Sequence, residues 1–379
     1  MATDIIISTD KTSQQVFPGG DHRMIVAAGI FVRDGSFTTV YSNAVKSTLL
    51  NQGLIISGLS GVLFDAGADL GRVQNAAGAL IQGYAGVEML GARSTVVNAG
   101  AIVGLSDVGV RMDGVTKASV TNSGTIRGSL YGVSFEGGGG LEGDTVVNSG
   151  VLRGGSIAVR SILEPGATLT VTNQAKGLIA GPAAFSVNGG KLALTNHGKI
   201  LGDVYDDVGL RTTVRNDGII EGTTVLGGGN DSFNGSGGVQ GRVYGGTGTD
   251  TLVGGSKGDW LDGGSDRDVL TGGGGADRFH FTQSSHSAPG ATRDFITDFS
   301  RGQKDRIDIG DMAPFNFVFR GKQDFTGGGT PSVKYTQVNK AGTAKDRTIV
   351  HGDANGDGVA DFQIELRGLV SLQASDFVL

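Results

Sequence analysis

The residues in this chain best suited to chemistry are aspartates that recur at a fixed interval. Between 226 and 281 the sequence reads in nines: GGTGTDTLV (245–253), GGSKGDWLD (254–262), GGSDRDVLT (263–271) and GGGGADRFH (272–280). A weaker copy, LGGGNDSFN (226–234), precedes them. The next nine, 235–243, carry Gln240 where Asp is expected and Arg242 where an apolar residue is expected, and Tyr244 is one residue extra. A six-residue GGxGxD turn needs glycine because its backbone visits positive φ and packs tightly. The x-L-x after each turn is a short strand with its middle residue inward: Phe233, Leu252, Leu261, Leu270 and Phe279. Two nonapeptides make one coil of a parallel roll, so turns 18 residues apart stack.

Stacking of that kind pairs Asp250 with Asp268 and Asp259 with Asp277. Asp231 and Asp250 lie 19 apart and are expected to pair only if Tyr244 bulges out. With Gln240 uncharged, its site beneath Asp259 should be weak or missing. Two carboxylates and several turn carbonyls around one point form a hard oxygen set, which suits Ca²⁺ better than a transition metal. Several such ions are expected. A Gly/Asp-rich disordered linker would have no reason to keep an apolar residue at position eight of consecutive copies. The segment resembles the calcium-binding nonapeptide repeat of RTX (hemolysin-type) proteins.

These turns must be held by β structure. From 46 to 225 a second repeat appears, Asn-x-Gly-x-Ile-x-Gly after a β-branched pair, as in VVNAGAIVG, VTNSGTIRG and VVNSGVLRG. Its asparagines are Asn51, Asn75, Asn98, Asn122, Asn148, Asn173, Asn196 and Asn216. A period near 24 with strand-like alternation means a solenoid. Three short strands and three turns per coil predict a parallel β-helix of about eight coils, with the asparagines bonding from coil to coil. The insert 137–145 should bulge from one coil, and residues 1–45 read as strands capping the solenoid. This repeat resembles the passenger regions of autotransporters.

The last hundred residues differ again. RDFITDFSRGQKDRIDIGDM (293–312) and GDANGDGVADFQIELRGLVSLQASDFVL (352–379) resemble the C-terminal domain of serralysin-type metalloproteases. That likeness implies a β-sandwich continuing the roll, and an uncleaved C-terminal signal read by a type I ABC exporter. The ending Asp376-Phe377-Val378-Leu379 fits it. Asp353, Asn355, Asp357 and Asp361 have the oxygen spacing of an EF-hand loop, but Ile364 stands where the twelfth-position Glu belongs. They are either a further Ca²⁺ site or an Asx-rich hairpin turn. By the same analogy Asp298 and Asp305 contribute to another site.

The fold expected is therefore all-β: a cap (1–45), a parallel β-helix (46–225), a calcium-binding β-roll (226–281) and a β-sandwich domain with the export signal (282–379). Composition agrees. Glycine is 69 of 379 residues, well above the ~7% norm, with only 6 prolines and no collagen period. From 226 onward there are 18 Asp and one Glu, a bias to the turn-forming acid. A net charge of −6 argues against a nucleic-acid partner. With no cysteine, disulfides and thiolate zinc sites are excluded, and no apolar run reaches the ~20 residues of a membrane span. The start, MATDIIISTD, is not an ordinary signal peptide.

No zinc-peptidase HExxH occurs, and His22, His197, His280, His286 and His351 are scattered. A GxSxG match at 254–258 falls where the turns already require glycine. Asp206 and Asp207 near Arg211 are the one hint of a β-helix lyase or epimerase. The expectation is a secreted calcium-binding protein without a catalytic site, acting as a surface, matrix or adhesin component. Homo-oligomers by coil stacking and an extracellular polysaccharide are its expected partners. The alternative is a polysaccharide-acting enzyme with the same export module.

Overall fold

The computed structural model describes residues 3–379 apart from 114–116, 139–142, 208–209, 239–240, 314, 341 and 343. Gln240 and the centre of the 137–145 insert therefore lie outside the described residues. Two compact units are present: residues 1–210 with 218–221, and residues 211–217 with 222–379. Among the described residues the only helices are three short 3₁₀ turns.

The first unit is a parallel β-helix with three strands per coil. One coil consists of Thr95–Asn98, Ala101–Gly104 and Val108–Asp113. The first strand pairs in one sheet with Arg72–Asn75 and Ser119–Asn122, in register at every residue. The other two lie in a second sheet. Alternation sends every second side chain inward, so like residues stack. Val73, Val96, Val120 and Val146 form one column, and Ile81, Ile102, Ile126 and Leu152 another, all fully buried. Each such side chain contributes roughly 1.5–3 kcal/mol of hydrophobic stabilisation. The strands of residues 3–42 are rungs of the same kind: Thr3–Ile7 pairs in parallel with His22–Val26, which pairs with Thr48–Asn51.

The strand ends carry the asparagine ladder. Nδ2 of Asn51, Asn75, Asn98, Asn122, Asn148 and Asn173 each donates to Oδ1 of the next asparagine, at 2.8 or 2.9 Å. Most also donate to a backbone carbonyl of the following coil, as Asn98 does to Thr125 (3.0 Å). The seven asparagines from Asn51 to Asn196 are buried and bonded, so their amides cost little to bury. Asn216 is buried in the second unit.

The second unit is a narrower roll with two strands per coil. Ser232–Asn234, Thr251–Val253, Val269–Thr271 and Asp294–Ile296 stack in one sheet. Arg242–Thr247, Trp260–Ser265, Arg278–His280 and Arg306–Asp308 stack in the other. Phe233, Leu252, Leu261, Leu270 and Phe279 are all fully buried, as the repeat requires. The roll's register carries past residue 281, through Ile296 and Ile307. Beyond it Ser332–Val338, Arg347–Asp353 and Phe362–Arg367 form an antiparallel meander whose last strand pairs in parallel with Asp294–Ile296.

One expectation fails here. Tyr244 does not bulge out; it sits in a strand between Val225 and Asp262. The inward residues Phe233 and Val243 are ten apart, whereas Leu252, Leu261, Leu270 and Phe279 come at intervals of nine. The extra residue is therefore taken up in the turn between Asn234 and Arg242. A turn absorbs it at the cost of loop closure alone, whereas a bulged strand loses ladder hydrogen bonds.

Candidate metal centre

Each aspartate of the roll stands just before its strand, two residues ahead of the inward apolar residue. There its carboxylate faces the neighbouring coil. Oδ1 of Asp250 accepts the amide of Asp231 (2.7 Å), Oδ1 of Asp268 that of Asp250 (2.8 Å), and Oδ1 of Asp294 that of Asp268 (2.7 Å). On the opposite edge Asp277 accepts from Asp259 (2.9 Å) and Asp305 from Asp277 (3.0 Å). The expected pairs, Asp250 with Asp268 and Asp259 with Asp277, are thus brought together. Asp231 joins the first ladder, and its own Oδ1 accepts the amide of Thr212 (2.6 Å).

The second oxygen of these carboxylates is the telling one. Oδ2 of Asp250, Asp268, Asp277 and Asp294 is buried and has no hydrogen-bond partner. A Cβ on Gly245, Gly263 or Gly272, the first glycine of each turn, would overlap Oδ2 of Asp250, Asp268 or Asp277 respectively. Glycine is needed there to leave room beside the oxygen. Gly246 (φ 116°), Gly264 (φ 97°) and Gly273 (φ 92°) take the left-handed backbone that turns the chain, and Asp266 adopts it without glycine (φ 76°). The GGSKGD turn differs, because Oδ2 of Asp259 accepts the amide of Gly255 (2.6 Å).

The electrostatics are set by burial. Desolvation raises Asp268 to about 9, helped by the charge of Asp294, and raises Asp294 to about 8. Asp250 and Asp277 are each raised to about 6, again chiefly by burial, and Asp305 also shifts upward. A buried row of carboxylates that resists ionisation has the chemistry of a hard-cation site. Among the described residues no group of three or more His, Asp or Glu side chains is placed to hold a metal ion by itself. What the residues offer a hard cation is a bare Oδ2 on each of these carboxylates, on neighbouring coils.

The loop 353–361 is built otherwise. Oδ1 of Asp353 accepts the amides of Gly356 (2.7 Å) and Asp357 (3.1 Å), and its Oδ2 accepts that of Gly358 (2.8 Å). Oδ2 of Asp361 accepts from Ala354 (2.7 Å) and Asn355 (3.1 Å), while Nδ2 of Asn355 donates to Asp357 and Asp361, each at 3.2 Å. The four residues converge, with their oxygens engaged in Asx-type turns. Asp298 accepts the amides of Gly272 (2.9 Å) and Gly273 (2.8 Å).

Sequence reasoning missed Asp294. The signal was available: Asp294-Phe-Ile296 and Asp305-Arg-Ile307 keep the same Asp-x-apolar spacing as Asp268-Val-Leu270, without the glycines ahead. Asp206, considered as a catalytic acid, is buried at the end of Lys199–Asp206.

Trp260, on the outer face of the roll, reports on the same coils. Arg242 lies 3.8 Å above its ring and His280 packs at 4.6 Å. His280 in turn contacts Asp262 through Nδ1 (2.9 Å).

Residues 223–379 match the family described as Peptidase M10 serralysin C terminal. That span is a serralysin-type C-terminal domain, as the RTX resemblance anticipated. Among solved structures the chain is similar to a subunit of the mannuronan C5-epimerase of Azotobacter vinelandii, with 28% identity over 45% of this chain and 78% of that one. The TM-score is 0.28. No curated protein matches the chain.

Proposed function

We propose that this is a secreted calcium-binding protein whose second unit completes its folding in external calcium. Its first unit we read as a non-catalytic β-helix that serves as a surface, matrix or adhesin component. The observation that carries the reading is the row of buried, unpartnered Oδ2 atoms on Asp250, Asp268 and Asp277 beside glycines that admit no side chain. The ligands we assign are Asp231, Asp250, Asp259, Asp268 and Asp277 with turn carbonyls, and Asp353, Asn355, Asp357 and Asp361 as a separate loop site.

Bound Ca²⁺ supplies the positive charge that lets these carboxylates ionise side by side. Without it, residues raised as far as Asp268 and Asp294 oppose folding at neutral pH, and the glycine-rich turns add a high ordering entropy. A chain that stays open where calcium is scarce can thread a type I exporter by its C-terminal signal. In the folded protein that terminus is tied down: Phe377–Val378 pairs with Ile307 and Asp308, and Arg301 holds Asp376 at 2.7 Å. Signal reading before folding is consistent with that burial. Outside the cell, binding free energy becomes folding free energy.

The test is a Ca²⁺ titration of chelator-treated protein, followed by far-UV circular dichroism and Trp260 fluorescence. A cooperative gain of β signal with a Trp260 change is expected, displaced to higher calcium in the Asp259→Ala/Asp277→Ala variant. A second unit already folded in chelator, or a variant with the same calcium midpoint, would overturn the reading.

A further inference from the structure

Outside the calcium turns, the first unit carries a groove of about 1060 Å³ along the outer face of its second sheet. Its floor is a glycine of successive coils: Gly104, Gly128 and Gly154 end the second strand, whereas Gly181 and Gly202 fall inside the continuous strands Leu178–Asn188 and Lys199–Asp206. These glycines are forced by the fold. A Cβ on Gly104, Gly128 or Gly154 would overlap the carbonyl of Val108, Tyr131 or Ile157, where the chain doubles back into the third strand. Repeating that elbow from Gly104 to Gly154 leaves a channel parallel to the helix axis. Leu105, Ser129 and Pro182 edge it on one side.

The other wall is a single register column, Val103, Arg127, Arg153, Ala180 and Leu201, each paired with the next. Arg127 and Arg153 are exposed neighbours one coil apart, about 4.8 Å by strand spacing. Neither makes an ion pair or a side-chain hydrogen bond among the described residues, and no carboxylate lines the groove. This contrasts with Arg111 and Arg160 on the adjoining strands, each of which is paired, with Glu88 and Asp107 or with Glu136. Two like charges held side by side without a counter-charge repel one another, and an anion bridging them relieves that repulsion. The guanidinium fork binds carboxylates and sulfates bidentately.

We infer that this groove binds a linear anionic polysaccharide lying along the helix axis, its carboxylate or sulfate groups on Arg127 and Arg153 and its sugar faces against Val103 and Leu201. The axial run suits an extended chain, and the apolar flanks suit the C–H faces of sugar rings. This deepens the matrix-component reading and rests on it for the protein's location. The groove itself belongs wholly to the first unit.

The experiment is calorimetric titration of the full chain, folded in Ca²⁺, with four hexameric probes. These are a hyaluronan hexasaccharide (carboxylate only), a heparin-derived hexasaccharide (sulfate-rich), neutral maltohexaose and a single-stranded DNA hexamer. Binding of either anionic sugar is expected, weakening with salt, and the stronger of the two identifies the charged group. Arg127→Gln/Arg153→Gln should weaken it at least roughly tenfold. Arg72→Gln, which removes an exposed charge from the other sheet, should change it less than twofold. Circular dichroism confirms that each variant folds. Equal loss in the Arg72 variant, no loss in the double variant, equal binding of maltohexaose, or tighter binding of DNA would each overturn the inference. Because the second unit is left intact, these outcomes are separate from failure of the calcium titration.

Discussion

The amide of Asp250 donates to Oδ1 of Asp268, 2.8 Å away on the next coil, while Oδ2 of Asp268 is buried without a partner. One carboxylate thus ties two coils together and still presents a bare oxygen. Burial and the neighbouring Asp294 lift its pKa to about 9, against about 3.9 in an unfolded chain. The folded state therefore holds the proton more tightly. Stability is fully present below pH 4 and is lost as pH rises toward 9. In chelator, the second unit should be more stable at pH 5 than at pH 8. Asp268→Asn keeps the acceptor for the Asp250 amide and removes the ionisation, so it should flatten this dependence and stabilise the chelated unit at pH 8. The gain should be on the order of 5 kcal/mol. Calcium affinity should fall in the same variant. The folded fraction of the second unit in EDTA at the two pH values, read by far-UV circular dichroism, checks it.

Asp144 repeats the same relationship in the first unit, where its Oδ1 accepts the amide of Ala118 at 2.8 Å. Burial raises it to about 6. Its contribution is intact below pH 4 and is lost as pH rises through 6. Asp144→Asn should stabilise the first unit by on the order of 2 kcal/mol at pH 7.5 and change little at pH 4. Thermal melts at both pH values decide it.

The asparagine ladder predicts a position effect. Asn122 accepts from Asn98 and donates to Asn148, both at 2.8 Å. Asn122→Leu breaks two ladder links and leaves Oδ1 of Asn148 buried and unmet, costing roughly 2–4 kcal/mol. Asn51→Leu breaks one ladder link and should cost about half as much. Equal losses in urea unfolding would mean that the ladder is not what stabilises these coils.

Glycines within a single turn should differ. Gly272→Ala drives a Cβ into the carboxylate of Asp277, whereas at Gly274 the nearest atom is an ordinary 3.6 Å away. The first substitution should raise the calcium needed for folding about tenfold or more. The second should shift it less than threefold. Calcium midpoints by circular dichroism compare them directly.

Much of this was legible in the sequence. Stacking at 18 residues is dictated by the nonapeptide, and the ladder from Asn51 to Asn196 by a period near 24, because parallel coils bring equal offsets into register. The inward positions of Phe233, Leu252 and Phe279 come from strand alternation. Less legible was Asp294, whose turn lacks the glycines that advertised the others, although its Asp-x-Ile spacing is the same.

Periodicity alone dictates the repeat: which residues face inward, and which aspartates and asparagines meet across coils. Where periodicity is interrupted, and what each atom then faces, follows from packing between coils instead. The surplus residue went into the turn between Asn234 and Arg242, because a turn tolerates it and a paired strand does not. Oδ1 of Asp268 found an amide and Oδ2 found none. Arg127 and Arg153 came to share a groove because glycine elbows cleared space beside them. Those outcomes depend on distances between coils far apart in sequence, which local pattern does not encode.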